Sequence, residues 1–151
     1  MKPIILLIVA LTIQGCATAA SNPSSTHKPV PAARILALPS VKEPANAATV
    51  HVMRDAQFVG SAMTTTFTFN GNDVAHIQSG EKVTFKVEPG EHLVGLKFLG
   101  NSPISGIFPI SGIFRPKRFI ESATHFVAGR EYIFRIVDNA NWEWELKRSS
   151  Y

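Results

Sequence analysis

Apolar and polar residues alternate with a period of two in several segments of the chain. The clearest case is residues 63–69, in which Met63, Thr65, Phe67 and Phe69 share one face and three threonines share the other. Such alternation, with β-branched and aromatic residues, predicts a strand that has one face on a core. Similar strand patterns occur at residues 49–53, 74–77, 82–88, 94–98, 120–127, 132–136 and 142–147.

Turn signals separate these segments. Asn70-Gly71, Ser79-Gly80, Pro89-Gly90 and Gly129 each stand between two predicted strands. Asn and Gly accept the positive φ that tight hairpins require, and Pro-Gly sets a turn. No segment after Ala48 shows a helical period. Residues 48–151 are therefore expected to form an all-β domain, a single small antiparallel β-sandwich of about seven or eight strands, with a small barrel as the alternative.

The first sixteen residues have a different pattern. Met1-Lys2 is followed by a nearly unbroken apolar run from residue 3 to 13, and then by Gln14, Gly15 and Cys16. A positive start, a short apolar stretch and a small residue before the cut are typical of a secretory signal peptide. The run is shorter than the roughly 20 apolar residues that a spanning helix needs, which disfavours a transmembrane anchor.

A signal cut immediately before a cysteine resembles the lipobox of bacterial lipoproteins. The resemblance implies that residues 1–15 are removed, and that Cys16 carries a diacylglyceryl group and an N-acyl chain. Gln14 departs from the pattern, which has a small or apolar residue at that place. An ordinary cleaved signal with a free thiol is the alternative. Ala17, in place of the aspartate that retains lipoproteins of enteric bacteria in the inner membrane, implies a location in the outer membrane.

Residues 16–47 are expected to form the lipidated start and a flexible linker. They contain five prolines (Pro23, Pro29, Pro31, Pro39 and Pro44) with many Ala and Ser residues. Such a composition buries little apolar surface and favours extended conformations. An apolar island at residues 34–38 is the exception, and a first edge strand there is the alternative.

Composition adds two limits. The chain has 151 residues with 15 Lys and Arg against 11 Asp and Glu, a mild positive balance that suits an anionic surface but is common for a domain of this size. Cys16 is the only cysteine, so no disulfide can form within one chain. The domain must therefore rest on its hydrophobic core, to which ten Phe residues contribute.

The sequence holds no constellation typical of catalysis. It has neither a nucleophile elbow nor a glycine-rich phosphate loop. The five histidines lack the helical spacing of a metal site, so no cofactor and no metal site are expected. Asp55, Asp73 and Asp138 lie near predicted turns, where capping of backbone amides is their expected role. Trp142 and Trp144 share one face of a strand and are expected to pack in the core or at an edge, with a sugar-stacking platform as the alternative.

A perfect tandem copy interrupts the strand pattern. Residues 103–108 and 109–114 both read Pro-Ile-Ser-Gly-Ile-Phe. A slip during DNA replication, tolerated because the insertion falls in a loop, explains such a copy. The alternative is an apolar finger with a basic base that contacts a membrane interface or an acidic partner. Its candidate binding residues are Phe108, Phe114, Arg115, Lys117 and Arg118.

The region from Ala48 to about Val137 resembles DUF2846, a family of bacterial lipoprotein domains of unknown function. The resemblance rests on the strand ending in Arg54, residues 58–62, the Asn70-Gly71 turn, the Gly80 turn and residues 87–92. The Pro-Gly-Glu-His element within residues 89–92 also resembles PEGA-type surface modules, which implies a prealbumin-like β-sandwich. The family implies no activity and no catalytic residue. Arg54 is expected to hold the loop around Phe58 through carbonyl contacts.

These observations predict a lipid-anchored envelope protein with a non-catalytic binding or structural head. It is expected in the outer membrane with the head in the periplasm, where its partner is an envelope protein or a glycan and not a nucleic acid. A lysozyme inhibitor is one alternative, although the cysteine pair and Ser-Gly-x-x-Tyr element typical of such inhibitors are missing. A hydrolase, with His76, His92 or His125 beside Glu91 or Glu121, is the other.

Overall fold

The computed structural model describes residues 27–56, 63–98, 119–138 and 144–149. In these ranges the chain forms nine strands and one short 3-10 helix, Ala32–Arg34. The strands are β1 (Lys28–Pro29), β2 (Ala48–Arg54), β3 (Thr65–Phe69), β4 (Asn72–Ile77), β5 (Glu81–Val87), β6 (Gly90–Phe98), β7 (Phe119–Phe126), β8 (Glu131–Asp138) and β9 (Trp144–Ser149). No helix in this part of the chain is both long and apolar enough to cross a bilayer.

The described strands form two sheets, and the prediction of a small β-sandwich is confirmed. One sheet has the order β1-β5-β2-β8-β9 and the other has the order β4-β3-β6-β7. All pairs of the four-stranded sheet are antiparallel. The five-stranded sheet is mixed, because β1 pairs parallel with β5 and β2 pairs parallel with β8. The purely antiparallel pairing that was expected is therefore wrong at those two places.

Aromatic side chains from both sheets meet in the core. Phe126 of the four-stranded sheet packs edge-on against Tyr132 of the five-stranded sheet, with ring centroids 4.7 Å apart. Phe67 lies between Phe85 and Phe134 at centroid distances of 6.0 and 6.5 Å. Phe67 thus lies on the inward face that the alternation of residues 63–69 assigns to it. Burial of these large rings is the main favourable term in the stability of the head.

The turn between β3 and β4 has the predicted chemistry. Asn70 and Gly71 both have positive φ, 48° and 77°, and they link Phe69 to Asn72 as a two-residue hairpin. Such turns match the right-handed twist of the strands that they join. The turn fixes the position of the Asn70 side chain, which becomes part of a cleft described below.

Residues 27–47, here called the strap, pack against the sandwich. The expectation of a flexible linker is wrong for this part of the chain, whereas residues 16–26 lie outside the described residues. Val30 in the strap is 6% exposed and belongs to the core. The backbone amide of Val30 donates to Lys82, and that of Lys28 donates to Gly80, both at 2.9 Å.

The strap then crosses to the other sheet. The Leu36 amide donates to the Val74 carbonyl at 2.8 Å, and Ile35 forms an isolated bridge with Ala75. The edge strand considered for residues 34–38 is thus reduced to one bridge. The strap docks because β5 and β4 would otherwise expose unpaired backbone N–H and C=O groups. A neighbouring segment can form hydrogen bonds with these groups even when it is rich in proline.

The outward face of β3 is also covered. Thr66 and Thr68 point away from the core but are 1% and 0% exposed. A Cβ added at Gly95 on the neighbouring strand would lie 2.6 Å from the Ile120 carbonyl oxygen and 2.7 Å from Thr68 Oγ1. Gly95 therefore allows β7 and the Thr68 side chain to approach the backbone of β6 more closely than a residue with a Cβ would.

Candidate functional site

The site residues that the sequence predicted lie outside the described residues. They are Cys16, Phe108, Phe114, Arg115, Lys117 and Arg118. The tandem copy falls between the end of β6 at Phe98 and the start of β7 at Phe119. The lipid anchor and the finger therefore stay predictions.

The described histidines lie at separate places on the sandwich. His51 on β2 lies 3.0 Å from Thr84 Oγ1, whereas His76 on β4 lies 2.9 Å from Thr66 Oγ1. His125 faces Glu91 across the β6–β7 pair. Within the described ranges no three His, Cys, Asp or Glu side chains are close enough to hold a metal ion. The hydrolase arrangement, two histidines and a glutamate in one cleft, is not formed by these residues.

Both ring nitrogens of His92 have partners. Nδ1 lies 2.9 Å from the Asn70 amide nitrogen, and Nε2 lies 3.0 Å from the Glu88 carbonyl oxygen. Because the Asn70 nitrogen can only donate and the carbonyl can only accept, the proton of the neutral ring belongs on Nε2. The ring also stacks on Phe69 with centroids 4.8 Å apart. These two contacts hold the His92 ring against the turn at Asn70.

His92 borders a cleft between the strap and the β3–β4 turn, here called the strap cleft. Its volume is about 300 Å³, at the lower end of the range for small-molecule sites. Its apolar side includes Leu38 of the strap, and its polar side includes Glu88. The remaining lining residues are Ala37, Pro39, Ser40, Phe69, Asn70, Asn72, Val74 and His92. The strap cleft therefore exists only while the strap is docked.

A polar cluster lies where the strap begins. Asp55, just after β2, accepts hydrogen bonds from Nε and Nη2 of Arg135 on β8. His27 Nε2 lies 4.0 Å from Asp55 Oδ1. Asp55 was expected to cap a turn, and so was Asp73, but each pairs with a cation, Asp73 with Lys97. The sequence gives no sign of these partners because they come from distant strands.

His27 is buried without a hydrogen bond to either ring nitrogen from the described residues. Its side chain is 4% exposed. Burial lowers the pKa of His27 below its ordinary value of 6.5, and the positive charges of Lys82 and Arg135 act in the same direction. Asp55 and the Arg54 carbonyl oppose this shift. The imidazole is therefore held in its neutral form at neutral pH.

A second ion pair fixes the middle of the strap. Both terminal nitrogens of Arg34 donate to the carboxylate of Glu81, which also accepts from the Gln78 amide. Burial opposes the charge on Glu81, but these hydrogen bonds and the charges of Arg34 and Arg54 hold its pKa below 4.5. Glu81 is therefore ionised at neutral pH and binds the strap to β5.

Arg54 is a fully buried cation, 1% exposed, at the end of β2. Its guanidinium donates to the carbonyl of Met63 and lies 3.4 Å from the carbonyl of Ile77. The same group lies 4.6 Å above the centre of the Trp144 ring. The carbonyl contacts expected of Arg54 are present, although Phe58 lies outside the described residues. Trp144 packs in the core, as expected.

Comparisons with known proteins give little further information. No family model matches the chain, and no curated protein does. An NMR structure of a protein from Eubacterium rectale is similar to it, with 11% sequence identity, 74% of this chain covered, 97% of that chain covered and a TM-score of 0.42. The assignment of function therefore rests on the residues of this chain.

Proposed function

We propose that the protein is a lipid-anchored module of the bacterial cell envelope whose head binds or supports a partner without catalysis. The observation that carries this proposal is the N-terminal pattern that ends at Cys16: a positive start, a short apolar run and Gly15-Cys16. Acylation of the sole cysteine also gives that thiol a role in an oxidising compartment, where a lone exposed thiol is a liability. Two or more acyl chains make a stable anchor.

The strap supports a head that works close to the bilayer. The described fold begins at His27, eleven residues after Cys16. At full extension this stretch spans at most about 40 Å. A free linker up to residue 47 would reach roughly 100 Å. A docked strap thus favours a partner at or near the membrane surface, an envelope protein or a glycan.

The strap cleft and the finger are the two contact regions of this proposal. The strap cleft combines Leu38 with the carboxamides of Asn70 and Asn72, a mixture that suits a small polar ligand with an apolar face. The finger, whose sequence includes Phe108 and Phe114 followed by Arg115, Lys117 and Arg118, is the proposed contact to a lipid or acidic surface.

The anchor is tested by replacing Cys16 with Ser. We expect the wild-type protein to lack residues 1–15, to carry the mass of its acyl chains and to fractionate with the outer membrane. The C16S variant should carry no acyl mass and should leave that fraction. Ala17→Asp should keep the lipid but move the protein to the inner membrane.

Thr18→Ser is the matched control, because it introduces the same side chain two residues away and leaves the thiol. The proposal fails if C16S has the same mass shift and membrane partition as the wild type, or if the wild-type mass shows an uncut, unacylated chain.

A further inference from the structure

Among the described strands, β7 is an edge strand without the usual protection. It is eight residues long, Phe119–Phe126, and of the described strands it pairs only with β6. It contains no proline, and its only acidic or basic residues are Glu121 and His125. A long edge with so few charges presents a row of unpaired backbone groups that another strand can pair with.

The other three described edges are protected by familiar means. β1 is only two residues long and includes Pro29. β4 is bridged by the strap at Ile35 and Leu36. β9 carries a charged residue at three of its six positions, Glu145, Lys147 and Arg148. Charges, proline, shortness and coverage are the devices by which natural sheets block edge pairing. Among the described residues, β7 has one such charge, Glu121, and none of the other devices.

β7 is self-complementary about Ala123. Consider two copies of β7 that pair antiparallel with Ala123 opposite Ala123. A residue a given number of positions before Ala123 in one copy then faces the residue the same number of positions after Ala123 in the other copy. At the centre, Ala123 of one copy faces Ala123 of the other. The other facing pairs are Ser122 with Thr124, Glu121 with His125, Ile120 with Phe126 and Phe119 with Val127.

This register also covers the exposed apolar side chains at the two ends of the strand. Phe119 is 44% exposed and Val127, one residue beyond β7, is 41% exposed. The antiparallel pair brings Phe119 of one copy to Val127 of the other twice, once at each end. Pairing centred on Ser122 would place Glu121 opposite Ala123, and pairing centred on Thr124 would place it opposite Val127. In both cases Glu121 would lose its imidazole partner. The pairing of the Glu121 carboxylate with the His125 imidazole therefore favours the register centred on Ala123.

We propose that β7 is a self-association surface, on which a second copy of this chain pairs antiparallel about a two-fold axis at Ala123. The two four-stranded sheets then join into one continuous sheet across the dimer. The interface is isologous and closes on itself, so the assembly stops at two copies. One strand pair is a small contact, and interfaces of that size are typical of weak, reversible association.

The first test is disulfide crosslinking of the full chain carrying Ala123→Cys, in intact cells. The two new thiols meet at the axis, so a covalent homodimer should form rapidly under mild oxidation. The wild-type chain reports any dimer that forms through Cys16 alone. Lys147→Cys, an exposed position on β9, is the matched control and should not crosslink.

The second test is charge reversal, followed by sedimentation velocity of the detergent-solubilised full chain. Glu121→Lys should weaken the dimer about tenfold, since the altered pair occurs twice and places a cation against His125. His125→Glu should do the same. The double variant, Glu121→Lys with His125→Glu, should restore association. Both residues are exposed, so the head should keep its fold in all three variants.

Three outcomes overturn the proposal. The first is a chain that stays monomeric at the highest attainable concentration. The second is crosslinking at position 123 that is no faster than at position 147. The third is a crosslink from position 123 to a different protein, which would show that β7 pairs with a heterologous partner. None of these outcomes bears on the lipid anchor, because the crosslink is read against the wild-type chain.

Discussion

His27 carries the acid sensitivity of the strap. Its pKa is below 6.5 in the fold and returns to about that value on unfolding, so the unfolded chain binds the extra proton first. The free energy of unfolding should therefore be fully retained above about pH 6.5 and should fall as the pH is lowered through the folded pKa. Protonation would place a cation beside Lys82 and Arg135, while Asp55 is already engaged by Arg135. Urea denaturation between pH 8 and pH 5 measures this loss.

Replacement of His27 by Leu removes the titrating group from a site in which the described residues give neither ring nitrogen a hydrogen bond of normal geometry. We expect this variant to be within about 1 kcal/mol of the wild type at pH 8, and to lose less stability at pH 5. His125→Gln, at an exposed position, should keep the full acid-dependent loss. A His27→Leu variant with the same pH dependence as the wild type would refute this role.

Arg54 and Arg148 provide a matched comparison of a buried and an exposed cation. Each guanidinium lies 4.6 Å from an aromatic ring centre, Arg54 over Trp144 and Arg148 over Tyr132. Arg54→Met should lower the free energy of unfolding by about 2 kcal/mol, because it removes the donor to the Met63 carbonyl and leaves the Ile77 carbonyl with the Thr65 hydroxyl but without the guanidinium. Arg148→Met should cost less than about 1 kcal/mol. Chemical denaturation at one pH separates the two, and equal losses would contradict the assigned role of Arg54.

The strap depends on the ion pair between Arg34 and Glu81. The side chains are 24% and 13% exposed, and the contact is bidentate, so a double-mutant cycle with Ala should give a coupling free energy of about 1 kcal/mol. Arg34→Ala should also speed hydrogen exchange at the amides of Val30 and Leu36, which hold the strap to the two sheets.

The exposed pair of Lys147 and Glu145 is the control and should show a coupling near zero. The pKa of Glu81 is below 4.5, so the contribution of the Arg34 pair should persist above that pH and disappear as the pH falls further. A coupling that does not change on acidification would show that Glu81 does not hold the strap by its charge.

The alternation of apolar and polar residues predicts eight of the described strands, because each has to bury one face against the opposite sheet. It does not predict the strap. Proline and alanine carry little apolar surface, and the strap is held by backbone hydrogen bonds to β5 and β4, which depend on where those edges lie in the fold. The one local signal was the apolar island at residues 34–38. Val30 and His27 have no periodic pattern around them.

Considered as a whole, the molecule shows which parts of a site a sequence can and cannot predict. The sandwich follows from local patterns, and the Asn70-Gly71 turn follows from its φ requirement. The pairs Asp55–Arg135 and Arg34–Glu81 join residues 80 and 47 positions apart. Only the strand order brings these residues together, and local patterns of apolar and polar residues do not reveal the strand order. The parallel pairing of β2 with β8 escaped prediction for the same reason.

That parallel pair sets the order of events in biosynthesis. β2 is the middle strand of its sheet, and one of its two neighbours, β8, begins at Glu131, long after β2 ends at Arg54. The nascent polypeptide can close the β3–β4 hairpin early, but it cannot complete its larger sheet until β8 and β9 have been made. Folds dominated by such distant pairings reach the native state slowly, in milliseconds to seconds. A chain that folds this slowly leaves its unpaired strands open to aggregation in the meantime, so a chaperone is expected to assist the newly made polypeptide.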